Sequence, residues 1–404
     1  MILNKNLLNA LFVLAGLFCA SYALAAEVGS SSDQPGKSAN AASFTLDEIA
    51  APEQQPHRWR VSIEAIALKR NSNVSQPLTN TVPANQTWAP GSASPGNSTE
   101  LFNSNQFNQG YQVGPKMMLE YRDHSGYDFE LSYFNVLNLN ASNTTGPNGN
   151  WLTMYAPGAW PSFWQTQDYP NQGFIWSTTT NLYSAEANAK TSVAQNFKLL
   201  AGFRWIQLND TLTGGVTPAD QFQPAWKTST IPCTGSTLPT FPTFTQLQGC
   251  TNTQLQNLTP SNFSNFWITS TTNNLFGLQF GAEGDVLSIG KLSLGGLLKA
   301  GVYNNRATQS DWVSMAKQFY YASATRNRAA YVGEGAIQIK YHLTRDFAIK
   351  LGYELLWLNQ IALAPGQISQ TYSASSPTSL SVTGVNTSSS ILFQGGTLGI
   401  EYAF

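Results

Sequence analysis

From Trp59 to Phe404, apolar and polar side chains alternate in ten separate stretches, and each reads as a β-strand with one apolar and one polar face. The clearest is "YQVGPKMMLEYRD", residues 111–123, where Tyr111, Val113, Met117, Leu119 and Tyr121 share one side and Gln112, Lys116, Glu120 and Arg122 the other. After "DHSG", Tyr127, Phe129, Leu131 and Tyr133 alternate with Asp128, Glu130 and Ser132, which predicts a hairpin. Phe197, Leu199, Ala201, Phe203 and Trp205 oppose Lys198, Gly202 and Arg204, while Phe276, Leu278, Phe280 and Ala282 oppose Gln279, Glu283 and Asp285. Lys299 lies across from Leu292, Leu294, Leu298 and Ala300. In "YVGEGAIQIKYHL" and "FAIKLGYELLWL" the aromatic and aliphatic face opposes Glu334, Gln338, Lys340, Lys350 and Glu354. Two stretches alternate less cleanly, "WRVSIEAIAL" from Trp59 and "NLYSAEANAK" from Asn181. The tenth is "TLGIEYAF", with Leu398, Ile400, Tyr402 and Phe404 against Thr397, Gly399, Glu401 and Ala403.

The connections alternate in length. Four are short, near 123–126, 190–196, 287–291 and 344–346, and five are long, roughly 71–108, 137–178, 209–272, 304–328 and 359–390. With an even strand count this puts both ends of the ladder on the short-turn side, as in outer-membrane barrels with short periplasmic turns and long external loops. A secreted β-sandwich also shows one apolar face per strand. It requires neither the loop alternation nor strands that reach the ~9–11 residues of a tilted membrane strand. In lipid, strands satisfy their backbone hydrogen bonds only by closing, apolar side out. The predicted fold class is all-β, a transmembrane antiparallel up-and-down β-barrel of about ten strands.

Composition narrows the setting. Charged residues are 11% of the chain, less than half the roughly 25% of ordinary globular proteins. The formal net charge of −1 offers no surface for nucleic acid. Residues 1–25 carry one lysine, an apolar run from Leu7 to Leu17 and an Ala23-Leu24-Ala25 cleavage pattern, which predicts a secretory signal removed at about Ala25. Residues 26–56 are small, polar and proline-bearing and read as a flexible periplasmic segment, leaving 57–404 for the barrel. Cys233 and Cys250, in the longest loop, are an even pair for an oxidising compartment and are expected to form a disulfide.

The strand faces place a charged set inside the barrel. Its basic members are Arg60, Lys116, Arg122, Lys190, Lys198, Arg204, Lys299, Lys340 and Lys350. The acidic members are Glu64, Glu120, Asp128, Glu130, Glu186, Glu283, Asp285, Glu334, Glu354 and Glu401. Two readings stand side by side: an ion-pair network that plugs a narrow barrel, or the lining of a narrow wet channel, with Gly277, Gly281, Gly295, Gly301 and Gly352 leaving room for water.

Catalytic chemistry finds little support. The three histidines, His57, His124 and His342, fall at the short-turn rim, and no GxSxG, Walker or HExxH motif is present. The chain is read as neither an enzyme nor a cofactor or metal binder. Trp151, Trp160, Trp164, Trp176, Trp226 and Trp267 recur in the long loops, either to pack them together or to stack on sugars and partner surfaces. "DWVSMAKQFY", residues 311–320, fits a short amphipathic helix over the mouth or an extension of the strand.

"AGFRWIQLNDTL", "NNLFGLQFGAEGD", "LKAGVYNNRA" and "GYELLWLNQIALAPGQI" resemble blocks of a bacterial outer-membrane β-barrel family of the planctomycete type, found also in proteobacteria. The aromatic, Asn/Thr-rich style resembles, more generally, the pore-forming major outer-membrane proteins of intracellular gammaproteobacteria. These resemblances imply a barrel in the cell outer membrane of a Gram-negative bacterium and put a passive, porin-like pore for small solutes first. A non-conducting barrel that displays its loops for adhesion, binding or envelope structure is the alternative. Thr397, Gly399, Tyr402 and Phe404 match the C-terminal signal read by barrel-assembly machinery. The expected partners are therefore that machinery, outer-membrane lipid and lipopolysaccharide, and small solutes.

Overall fold

In a computed structural model the ten alternating stretches pair edge to edge and close. The structure describes residues 58–82, 99–146, 151–154, 173–194, 196–217, 266–315, 318–373 and 380–404. The strands are β1 (Trp59–Ser72), β2 (Pro77–Val82), β3 (Thr99–Asn103), β4 (Gln112–Arg122), β5 (Tyr127–Thr145), β6 (Trp151–Met154), β7 (Gly173–Ala194) and β8 (Phe197–Thr217). They continue with β9 (Phe266–Ile289), β10 (Leu292–Met315), β11 (Gln318–His342), β12 (Phe347–Ile361), β13 (Thr371–Ser373), β14 (Leu380–Val382) and β15 (Ser389–Ala403). The barrel runs β1-β15-β12-β11-β10-β9-β8-β7-β5-β4, antiparallel throughout, and β4 pairs back onto β1. Two small sheets, β3-β2-β6 and β13-β14, are built from its long connections.

The seam lies where the first and last barrel strands meet. Arg60 pairs with Ala403 and Ser72 with Ile391. Trp59 and Phe404 exchange backbone hydrogen bonds, each N–H donating to the other's carbonyl at 2.9 Å. Tyr402 and Phe404 stack at 5.8 Å on the outside, while Thr397 and Glu401 are buried inside.

The outer surface carries the predicted apolar band. Ile63, Met117, Leu131, Leu199, Leu278, Phe280, Val302, Leu351 and Leu398 are all exposed, an arrangement that water would penalise and lipid does not. Trp59, Tyr121, Tyr127, Tyr341, Tyr402 and Phe404 crowd the short-turn rim, where amphipathic rings suit a membrane interface.

Two expectations change. The strands outrun the predicted bounds: β11 has 25 residues and β10 has 24. At about 3.3 Å per residue and a tilt near 40°, 25 residues rise about 60 Å, roughly twice the apolar band. The connection expected at 304–328 is therefore mostly paired strand, and within 311–320 the described residues 311–315 and 318–320 are strand, not helix. Above the membrane neither face has to be apolar, so pairing continues after the period-2 signal has faded. Trp176 and Trp267, assigned to loops, lie in β7 and β9 for the same reason.

The second change concerns the inside. The inward face is not polar along its whole length. Ile66 and Leu68 of β1 and Phe134 and Val136 of β5 point inward and are buried. So are Ile206 and Leu208 of β8, Leu356 and Leu358 of β12, and Ile391 and Phe393 of β15. Together with Leu182, Leu275, Tyr303 and Val332 they form one apolar layer across the barrel. This switch explains why "WRVSIEAIAL" alternates poorly: its apolar residues face lipid first and the interior afterwards.

Candidate functional site

The interior is layered. Each layer follows from which residues the inward phase of the strands delivers at that height.

Toward the short turns, the charged set forms an ion-pair lattice of one large cluster and two smaller ones. Arg60 meets Glu120 at 3.1 Å and Glu401 at 3.5 Å, and Glu401 also lies 3.6 Å from Lys340 and 3.7 Å from Lys350. Lys350 pairs with Glu64 at 2.6 Å, and Ser62 donates to the same carboxylate at 2.8 Å. Lys190 is the hub, at 3.0 Å from Glu120, 2.5 Å from Glu130 and 2.8 Å from Glu283. Lys198 pairs with Asp128, which also meets Arg122 at 3.4 Å. Deeper in, Lys299 joins Glu186 at 2.8 Å and Glu334 at 3.4 Å, Arg204 joins Glu334 at 2.5 Å, and Lys116 joins Glu354 at 2.5 Å. Every lumenal charge named from the sequence, Asp285 excepted, lies in an ion pair inside the barrel. Asp285 is exposed beside a bulge at the rim.

The lattice does not fill its space. It surrounds a cavity of about 310 Å³ whose walls carry Arg60, Lys198, Glu283, Asp285 and His342. Opposite signs line the same cavity, so its field favours neither cations nor anions strongly.

Neutral polar residues complete the lattice, Gln279 from the predicted inward face and Asn188, Ser184 and Tyr303 beside it. Gln279 donates to Glu186 at 2.5 Å and to Asn188 at 2.8 Å, and Tyr303 donates to Gln279 at 3.1 Å. Arg204 Nε donates to Ser184 at 2.9 Å, and its guanidinium lies 5.9 Å from the Phe134 ring centroid. Gly277 and Gly301 were expected to leave room for water. Instead they make room for Tyr303: a Cβ on Gly277 would come within 2.6 Å of that ring, and one on Gly301 within 2.7 Å.

Above lies the apolar layer, and above that a polar girdle that holds a piece of chain inside the barrel. Asn273 grips Ala362 from both sides, its amide donating to the carbonyl at 2.7 Å and its carbonyl accepting from the N–H at 2.7 Å. Asn305 donates to Gln360 O at 3.2 Å. Asp210 accepts from Ala364 N at 2.9 Å and from Thr180 at 2.8 Å, and pairs with Arg70. Gln360 has φ +61, so the chain turns out of β12 there, and Ala362, Leu363 and Ala364 are fully buried. Leu363 joins the apolar layer directly. The wall and this inserted segment therefore pack against each other inside the barrel. Asn273 and Asp210 could have been found by carrying the inward parity of Gln279 and Arg204 upward past the predicted strand ends.

Higher still, Trp176 and Trp267 meet edge to face at 5.1 Å, both fully buried, and Trp176 Nε1 donates to Thr79 at 2.9 Å. Gly214 is what admits Trp267, whose ring would lie 2.1 Å from a Cβ there. These two tryptophans serve packing. Trp151 lies in β6, and Trp160, Trp164 and Trp226 lie outside the described residues.

Of the remaining expectations, Cys233, Cys250, His57 and residues 1–57 also lie outside the described residues. His124 sits in the β4–β5 turn against Arg58, and His342 at the end of β11. Gly399 approaches Ile63 so closely that a Cβ would come within 2.3 Å of its carbonyl oxygen. Among the described residues no group of three or more His, Cys, Asp and Glu is placed to hold a metal ion.

No protein-family model matches the chain, and no curated protein matches it in sequence. Among solved structures it is similar to the outer membrane protease OmpT from Escherichia coli, at 9% identity and a TM-score of 0.44 over 87% of this chain and 98% of that one. It is also similar to Neisserial surface protein A, at 10% identity and TM-score 0.27 over 86% and 97% of the two chains. A third similarity is to the Ralstonia pickettii toluene transporter TbuX, at 9% identity and TM-score 0.28 over 86% and 90%.

Proposed function

We propose that this outer-membrane barrel rests in a closed state and acts through the long strand extensions and loops at its outer end, in binding, adhesion or envelope structure. One observation carries the reading: an apolar layer built from nine of the ten barrel strands, with Leu363 inserted from the loop side, lies between the charged lattice and the outer end. An ion entering from the short-turn side meets balanced charge and then a dry barrier, where an unpaired charge costs several kcal/mol. The lattice supports the same reading from below, because paired charges brace a narrow barrel without conducting. The reading includes no catalytic step.

A gated, porin-like pore is the second reading. The observation in its favour is that the closing segment, 360–364, is held to the wall by a small set of hydrogen bonds with Asn273, Asn305, Asp210 and Thr271. Removing that segment's anchorage would leave the charged cavity of about 310 Å³ one apolar layer from the outside.

Planar-bilayer recording separates the two. Refolded wild-type protein is expected to give no steady single-channel steps at modest voltage. Regular steps from the unmodified protein would overturn the closed reading and favour the pore.

A further inference from the structure

The outward face of β8, β9, β10 and β11 carries a chemical gradient that the barrel fold alone does not require. The register sets it out row by row. Phe203, Leu278, Val302 and Tyr331 face out side by side, an apolar row. One step toward the outer end, Trp205 and Phe276 are joined by Asn304 and Ala329. The next row is Gln207, Asn274, Arg306 and Asn327, and Arg306 is exposed. Beyond it come Asn209, Thr272, Thr308 and Thr325, then Thr211, Ser270, Ser310 and Ser323. These last two rows and Gln207 line a concavity of about 520 Å³ that Tyr321 also borders, and among the described residues none of its lining is charged.

We infer that this face is a binding site for a phosphorylated glycolipid of the surrounding membrane leaflet. Acyl chains would lie on the apolar rows, the phosphate would meet Arg306, and the sugar would occupy the hydroxyl- and amide-lined hollow. The order of the rows carries the assignment. Apolar surface ends, a single guanidinium follows, and a patch of neutral donors and acceptors begins, all on adjacent strands and on one face. An arginine fork suits a phosphate's oxygens, and it stands at the edge of the apolar band, where lipid phosphates lie. Ser, Thr, Asn and Gln side chains both donate and accept, as sugar hydroxyls do, whereas an ordinary phospholipid has too small a headgroup to use the hollow. Tyr321, 4.4 Å from the buried Trp312 ring, gives one wall an aromatic surface. Within the hollow Thr211 and Ser270 bond to each other at 3.1 Å and Thr308 donates to the Thr272 carbonyl at 3.5 Å, while Ser323 and Thr325 are exposed.

The inference rests on the outer-membrane reading, but its test does not depend on conduction. The full-length refolded protein in detergent is titrated with a bis-phosphorylated glycolipid, with the same glycolipid after dephosphorylation, and with phosphatidylglycerol, and bound lipid is measured by native mass spectrometry. Wild type is expected to retain the phosphorylated glycolipid in preference to both others. Arg306→Gln should weaken that binding about tenfold, the share of one hydrogen-bonded charge. Ser310→Trp, which fills the hollow, should abolish the preference over phosphatidylglycerol. Heat-modifiable migration on gels checks that each variant is folded, and Arg306→Gln, on an exposed side chain, keeps the test decisive should Ser310→Trp not fold. Equal retention of phosphatidylglycerol by wild type, or unchanged binding in the folded variants, would overturn the site. Fractionation of cells reports on membrane location separately, so failure of one reading is distinguishable from failure of the other.

Discussion

Arg204 shows what a charge costs and contributes inside this barrel. Its side chain is fully buried, bonded to Glu334 at 2.5 Å and to Ser184 at 2.9 Å. Taking one partner away leaves the other charged and dry, a change that costs about 3–5 kcal/mol. Arg204→Ala is therefore expected to lower the urea unfolding midpoint of the refolded protein sharply, because Glu334 then keeps only Lys299 at 3.4 Å. Replacing the pair together, Arg204→Met with Glu334→Leu, should restore much of the loss, since a buried ion pair is often matched by apolar residues of similar volume. A double variant no better than Arg204→Ala would mean that Arg204 contributes through its contacts with Ser184 and Phe134 rather than through charge. The same logic explains why the chain concentrates its scarce charges here. Each is expensive alone, and the narrow interior lets one lysine, Lys190, reach three carboxylates.

How much of this could be read from the chain differs from element to element. β4, the first half of β5, the lower half of β11 and β12 were legible because lipid on one side and paired charge on the other impose a strict alternation. β1 and β7 were faint. Ile66 and Leu68 turn apolar toward the inside, and the outward face of β7 offers Ala185, Ala187 and Ala189 where other strands have large apolar groups. The upper halves of β8 to β11 were illegible, because Thr, Ser and Asn take the outward positions once the lipid ends and the inward face mixes Leu, Ala, Asp and Gln. The inserted segment 360–364 carries no periodic signal, since its position depends on long-range partners such as Asn273. Its anchorage can be tested at the level of the element. Asn273→Ala with Asp210→Ala removes the acceptors of the Ala362 and Ala364 amides, while Thr271 still donates to the Ala362 carbonyl at 3.1 Å. Backbone amides at 362–364 are then expected to lose hydrogen-exchange protection by about tenfold or more per lost bond, while amides in β12 and β15 keep theirs. Unchanged protection at 362–364 would show that packing of Leu363, with the Thr271 and Asn305 bonds that remain, is enough to hold the segment.

For the molecule as a whole, the decisive dimension is height. The strands are long enough to cross the bilayer about twice over, so which half lies in lipid is a statement about the outward side chains. On β9 those are Phe276, Leu278 and Phe280 toward the short turns and Asn274, Thr272 and Ser270 toward the loops. Phe280→Arg would place a cation against hydrocarbon and should destabilise the folded barrel in lipid vesicles by about 2–4 kcal/mol. Asn274→Arg, six residues away on the same face, should change stability by less than about 1 kcal/mol, because it lies beyond the apolar edge. In detergent, whose headgroups approach the barrel more freely, the difference between the two should shrink. If both substitutions cost the same in vesicles, the apolar band would extend higher than the side chains indicate. The row of Arg306 would then lie within hydrocarbon, and a lipid phosphate would not sit level with it. The contrast between these two variants thus fixes the membrane boundary on which the glycolipid site depends.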